Sequence, residues 1–225
     1  MPLHETIQQR LAAAQKAGRP LDLLSSFKGV PVRYQATIEQ IEPEAVVVRV
    51  TQHEAVCLAL VREVVVLGEG GDEALRAEAA EVQLPLGRAR LVHLRFADSR
   101  LGNRLMVRVE PKVATTVRLE LAGQIVTGQI VDVSMGGLAV QVTAAPPEVP
   151  LKAGVTTPLI FALPSGAVKL VGLIRSARPE GDGRRLGIAF SQDAHVSVIV
   201  SYVLQRRVEI LEELEQAYQA RMGQA

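Results

Sequence analysis

Two arginines four apart, Arg104 and Arg108, are followed about 24 residues later by Asp132, Ser134, Gly136 and Gly137 in the run DVSMGG. A guanidinium presents a planar fork of donors that matches paired acceptors such as two phosphate oxygens. A carboxylate such as Asp132 is the complementary acceptor for N–H groups, Ser134 can donate or accept, and Gly136 with Gly137 lets a backbone turn sharply without a Cβ. These groups suit holding a ligand rather than transforming one. Taken singly, paired linker arginines are most often a solvated charge pair, and Asp-x-Ser before Gly-Gly is also good turn chemistry. Their joint occurrence carries the information, because a turn does not require an upstream RxxxR.

No other grouping reaches a catalytic or metal-binding arrangement. Gly68, Gly70 and Gly71 follow a strand-like run, but Glu73 stands where a dinucleotide-binding loop needs its third glycine. With Asp72 it sets negative charge where a phosphate would sit. His53 and Cys57 are four apart, which on a strand means about 13 Å, too far to share one metal. His4, His93 and His195 have no Cys, Asp or His at ligand spacing, so neither a catalytic residue nor a metal ligand is assigned. Phe27, Tyr34, Phe96, Phe161, Phe190, Tyr202 and Tyr218 are scattered and, without tryptophan, form no stacking platform for single-stranded nucleic acid or a flavin.

The elements that must position the motifs read as two β-rich halves. Residues 3–11 carry the spacing of an amphipathic helix that Gly18 and Pro20 should stop. Short valine-rich runs at 30–41, 45–51, 55–60, 63–67 and 89–96 are strand-like, while 72–82 admits either a short helix or a strand. Beyond a basic linker at 97–112, Val117, Leu119 and Leu121 alternate with Arg118 and Glu120 in the two-residue period of a half-buried strand. Five further runs, at 127–133, 138–143, 157–162, 167–177 and 185–190, complete six short strands that suggest a barrel. From Asp193 the spacing becomes helical, with Val200, Leu204, Leu211, Leu214 and Tyr218 on one stripe. That stripe leaves a monomer and a homodimer both open.

RxxxR (Arg104, Leu105, Met106, Val107, Arg108) and then DxSxxG, in this order with β-sequence between them, resemble the paired signature of the PilZ domain. Leu186, Gly187, Ile188, Ala189 and Phe190 ahead of a helix are similar to the end of that domain, so the likeness covers about residues 104–211. The half before it resembles more weakly the amino-terminal domain of the flagellar-brake group. The resemblance implies a mainly β fold of two barrel-type domains, 1–98 split-barrel-like and 99–225 a six-stranded PilZ barrel, with an amino-terminal helix and a long carboxy-terminal one. It implies a non-enzymatic receptor for cyclic di-GMP, bound by Arg104, Arg108, Asp132, Ser134, Gly136 and Gly137, with no other cofactor. Arginine suits every part of such a ligand, since it can fork onto guanine O6 and N7 or phosphate and stack on a base. Asn103 departs from the pattern, standing where many members carry another arginine. The expected outputs are motility or biofilm control through a protein partner; the flagellar motor, secretion machinery, a polysaccharide synthase and a transcription factor all remain open. The alternatives are a ligand-independent PilZ-like scaffold and, from a third class, a flavin or nucleotide enzyme.

Composition agrees with a folded protein of this kind. The chain has 225 residues, 48% of them hydrophobic, and its 25 Lys plus Arg nearly balance 24 Asp plus Glu. A net charge of +1 denies it the basic field of a general nucleic-acid binder. Cys57 is alone, excluding an intramolecular disulfide. The apolar stretch 55–67 is interrupted by Arg62 and Glu63, so no membrane insertion is expected, and residues 1–18 do not have the pattern of a signal peptide. A cytoplasmic location is the expectation.

Overall fold

The computed structural model describes residues 3–67, 74–97, 107–191 and 196–223, with Val196 described by its backbone alone. The chain divides into two compact units, one formed by residues 1–105 and 211–225 and the other by residues 106–210.

The first unit is built on a closed six-stranded barrel. Its strands are β1 (Leu21–Phe27), β2 (Val30–Ile41), β3 (Ala45–Arg49), β4 (Glu63–Leu67), β5 (Leu75–Gln83) and β6 (Arg88–Phe96), in the spatial order β1-β2-β3-β6-β5-β4. Helix α1 (Glu5–Lys16) inserts Ile7 and Leu11 into the same core as Leu23, Val46, Val48, Leu58 and Leu91. As the glycine signal predicts, the helix stops before Gly18, whose φ is +62°.

Two elements of this unit differ from what spacing predicts. The run 55–60 is not a strand but part of helix α2 (Gln52–Val61), capped by Thr51, whose Oγ1 accepts from the Glu54 backbone N–H. Ala55, Val56, Cys57 and Leu58 are all fully buried, so no polar face reveals the helical period and the run reads as a core strand. His53 and Cys57 therefore lie one helical turn apart rather than about 13 Å. The His53 Nδ1 is 2.7 Å from the Tyr34 hydroxyl and its Nε2 is 3.3 Å from Glu215. Among the described residues no three metal-ligating side chains cluster. The ambiguous run 72–82 yields β5, where Leu75, Ala77 and Ala79 face inward while β4 and β6 pair with either edge. Pairing on both sides overrides the helix propensity of Ala, Leu, Glu and Arg. Spacing also misses β1, whose Asp22, Ser25 and Ser26 mask its inward Leu21 and Leu23.

The second unit contains β7 (Arg108–Val109), β8 (Thr116–Leu121), β9 (Gln124–Ser134), β10 (Gly137–Val142), β11 (Thr156–Leu163), β12 (Gly166–Glu180) and β13 (Gly183–Phe190). Strands run in the order β10-β13-β12-β11-β8-β9, and β9 also pairs with β10, closing six strands into a barrel. The two-residue β7 is added beside the end of β9. The core is the inward alternation that the period-two spacing predicts: Val117, Leu119 and Leu121 of β8 face Val126, Leu159 and Phe161 among others, all nearly inaccessible to water.

Helix α3 (Val196–Met222) is as long as its periodicity suggests, but its buried stripe is rotated. Ile199, Tyr202, Val203, Arg206, Ile210 and Leu214 are buried, whereas Leu204 and Leu211 of the expected stripe are 48% and 38% exposed. A pattern scored by hydrophobicity skips Arg206, and without it the remaining apolar residues line up best on the neighbouring face. Among the described residues no helix is long and apolar enough to cross a membrane.

Candidate functional site

Strand β7 carries Arg108, and its register sets Arg108 opposite Ser134 and Val109 opposite Val133. This pairing is what brings the second arginine of RxxxR onto DxSxxG. Asp132, on β9 beside that pair, is 9% exposed. Its Oδ1 accepts from Arg108 Nη1 at 3.3 Å, and its Oδ2 accepts from Arg185 Nη2 at 3.1 Å. Arg185, on β13, extends its other terminal nitrogen to Glu180 at 3.5 Å, whose carbonyl in turn accepts from Gln141 at 2.9 Å. The result is a fixed carboxylate flanked by two guanidiniums whose side chains are 45% and 38% exposed.

Partly exposed ion pairs contribute little to stability, so the two arginines are available to a better partner. A ligand offering phosphate oxygens or a purine edge could take the outer donors of both while Asp132 accepts a ligand N–H.

The serine and the glycines have their own tasks in the turn. Ser134 Oγ donates to the Gly137 carbonyl at 3.0 Å, and Gly136 accepts from the Phe190 N–H at 2.9 Å. A Cβ on Gly137 would lie 2.3 Å from the Ile188 carbonyl oxygen, so this position needs glycine because β10 approaches β13 closely. Arg104 lies outside the described residues, as do Gly68, Gly70, Gly71, Glu73 and His195.

Arg185 is the site residue that sequence spacing misses. The Arg184–Arg185 doublet is visible next to Leu186 and Gly187, but nothing in one dimension shows that Arg185 lies on the strand beside β10 and reaches Asp132 across it.

Residues 98–205 match the family model for the PilZ domain. The chain is also similar to the crystal structure of YcgR from Escherichia coli in complex with c-di-GMP, at 16% identity over 95% of this chain and 91% of that one, with a TM-score of 0.40. The inhibitor of motility MotI/DgrA of Bacillus subtilis matches at 16% identity over 85% of this chain and 97% of its own, with a TM-score of 0.41. The MrkH–c-di-GMP complex of K. pneumonia matches at 13% identity over 92% of this chain and 95% of its own, with a TM-score of 0.49. No curated protein matches the chain in sequence.

Proposed function

Residues 98–205 make this chain a PilZ-domain protein, and from that premise we propose that it is a receptor for cyclic di-GMP that acts by binding rather than by catalysis. The observation that carries the reading is the register of β7 on β9, which sets Arg108 beside Asp132. Ligand contacts are assigned to Arg104, Arg108, Asp132 and Arg185, with Ser134, Gly136 and Gly137 shaping the turn beneath them. The proposed domains are 1–98 and 99–225. The output is control of motility, biofilm formation or a related process through a protein partner.

Calorimetric titration of the purified chain tests this directly. Saturation is expected, and none at tens of micromolar ligand, a range worth only about 6 kcal/mol, would refute it. Arg108→Ala and Arg185→Ala should each remove charge-assisted bonds worth about 1.5 to 3 kcal/mol, roughly tenfold or more in affinity, with the fold retained because both side chains are partly exposed. Asp132→Ala should weaken binding too and also cost stability, since it leaves two guanidiniums facing each other. Wild-type affinity in all of them would remove the site.

A second prediction concerns signalling. The arginine linker contains Gly102 and Asn103 just before Arg104, and an anionic ligand that draws in both arginines should order it and alter the interdomain arrangement. A ligand shifts that arrangement only as far as its preference for one state allows. Saturating cyclic di-GMP is expected to slow amide exchange at 102–108 and to change a probe distance between the domains; binding with an unchanged distance distribution would rule the rearrangement out.

One observation favours the ligand-independent scaffold reading. Both Asp132 oxygens and the Ser134 hydroxyl already have partners within the chain. Under that reading the same proteins co-purify with and without the nucleotide; under the receptor reading the nucleotide changes them.

A further inference from the structure

The strand that presents Arg108 is only two residues long, so backbone pairing alone fixes it weakly. Two residues beyond Arg108, the Glu110 carbonyl accepts a 2.9 Å hydrogen bond from Arg206 Nε of α3. Arg206 is 3% exposed and is the one cation in the buried set among the described residues. Its Nη1 lies 3.3 Å from Glu209, and the same Glu209 oxygen lies 3.6 Å from Lys112 Nζ. The hydroxyl of Tyr202, itself buried one turn before Arg206, lies beside the Lys112 backbone. The segment 112–116 and the α3 residues Tyr202, Gln205, Arg206 and Glu209 border one cavity of about 700 Å³, so side-chain packing there gives the segment little support beyond these polar bonds. An arginine buried at such cost needs its bonds satisfied, and its Nε–H is given to the chain that leads out of β7.

From this arrangement we infer that Arg206, oriented by Glu209, is a positioning residue for the ligand site: it ties the exit of β7 to α3, sets Arg108 against Asp132, and passes the state of the site to the helix. The ligand part of the inference rests on the cyclic di-GMP reading. A ligand that pulls Arg108 must move or stiffen Glu110 through Lys112, and those residues are bonded to Arg206 and Glu209 on α3. The helix runs unbroken from Val196 to Met222, which makes it a stiff body able to carry that change.

The test uses the full chain and two variants, Glu209→Gln and Arg206→Lys. Glu209 is partly exposed, so its amide variant should fold with an unchanged melting temperature, and Arg206→Lys keeps the buried charge while losing the fork. Both are expected to bind cyclic di-GMP more weakly, roughly two- to thirtyfold, the range of such remote effects. In the wild-type chain labelled with ¹⁵N-arginine, the Arg206 Nε–H signal should shift during titration, which a merely structural arginine would not show. Without ligand, amides 108–112 should exchange faster in Glu209→Gln than in wild type while those of β11 and β12 do not change. Wild-type affinity in both variants, with a stationary Arg206 signal, would overturn the inference. If the wild-type chain does not bind cyclic di-GMP at all, the receptor reading fails by itself. The ligand-free exchange comparison then still decides the anchoring role, and equal rates at 108–112 would refute it.

Discussion

Gly137→Ala is expected to destabilise the second barrel by about 3 kcal/mol, at the upper end for overpacked sites, and to remove ligand binding with it. The new Cβ would stand 2.3 Å from the Ile188 carbonyl oxygen and 3.2 Å from the Ala189 Cα, both backbone atoms of the paired strand β13. No rotamer change can relieve a clash with backbone, so β10 and β13 must separate. Two consequences follow for the site, because Asp132 sits on β9 opposite Ala139 of β10 while Arg185 sits on β13 opposite Gln141. Separating these strands pulls Arg185 from Asp132, and Gly137 also supplies the carbonyl to which Ser134 donates. For a unit of this size the melting temperature should fall by roughly 10–20 °C. A variant that melts with the wild type would show that the strands can part without cost and that Gly137 serves the ligand directly.

Glu54→Gln is expected to stabilise the first unit at pH 8 by about 4 kcal/mol and to leave it nearly unchanged near pH 4. Glu54 is 1% exposed, and among the described residues neither of its carboxylate oxygens has a hydrogen-bond partner. Burial pushes its carboxyl up to about 8 from an ordinary 4.5. The folded chain therefore keeps a proton that the unfolded chain has already released. The contribution of Glu54 to stability falls as pH rises from about 4.5 to about 8, then levels off, because ionising it places an unpaired charge in the core. Burial and the neighbouring Glu54 likewise push the Cys57 thiol up to about 12, so it stays protonated over the same range. Glutamine keeps the shape and loses the titration. Urea midpoints of both proteins across pH 4–9 provide the measurement, and parallel curves would show that Glu54 finds a partner when ionised.

Much of the candidate site was legible because its chemistry is written locally. RxxxR and DxSxxG are contiguous motifs whose residue types state what they can bond, and the two-residue alternation of 117–121 states which side faces the core. The long terminal helix was legible for the same reason, since a 3.6-residue period survives over many turns. The identity of its buried face was not, because Arg206 occupies a core position that hydrophobicity assigns to water. Helix α2 was hidden by the opposite cause: Ala55, Val56, Cys57 and Leu58 are buried all round, and a period cannot show where every face is apolar.

Read in one dimension, the chain is mainly β with a helix near each end, and it carries an arginine pair and an acidic turn whose groups suit holding a ligand. Residue type, spacing and period carry all of this without knowledge of neighbours. Only the tertiary structure decided that Arg108 pairs in register with Ser134, that Asp132 is held between Arg108 and Arg185, and that Gly137 is required by a passing strand rather than by the turn. It also set Arg206 Nε against the Glu110 carbonyl. Each of these joins residues on different strands or helices, and strand order and register arise from barrel closure and core packing, which no single segment encodes.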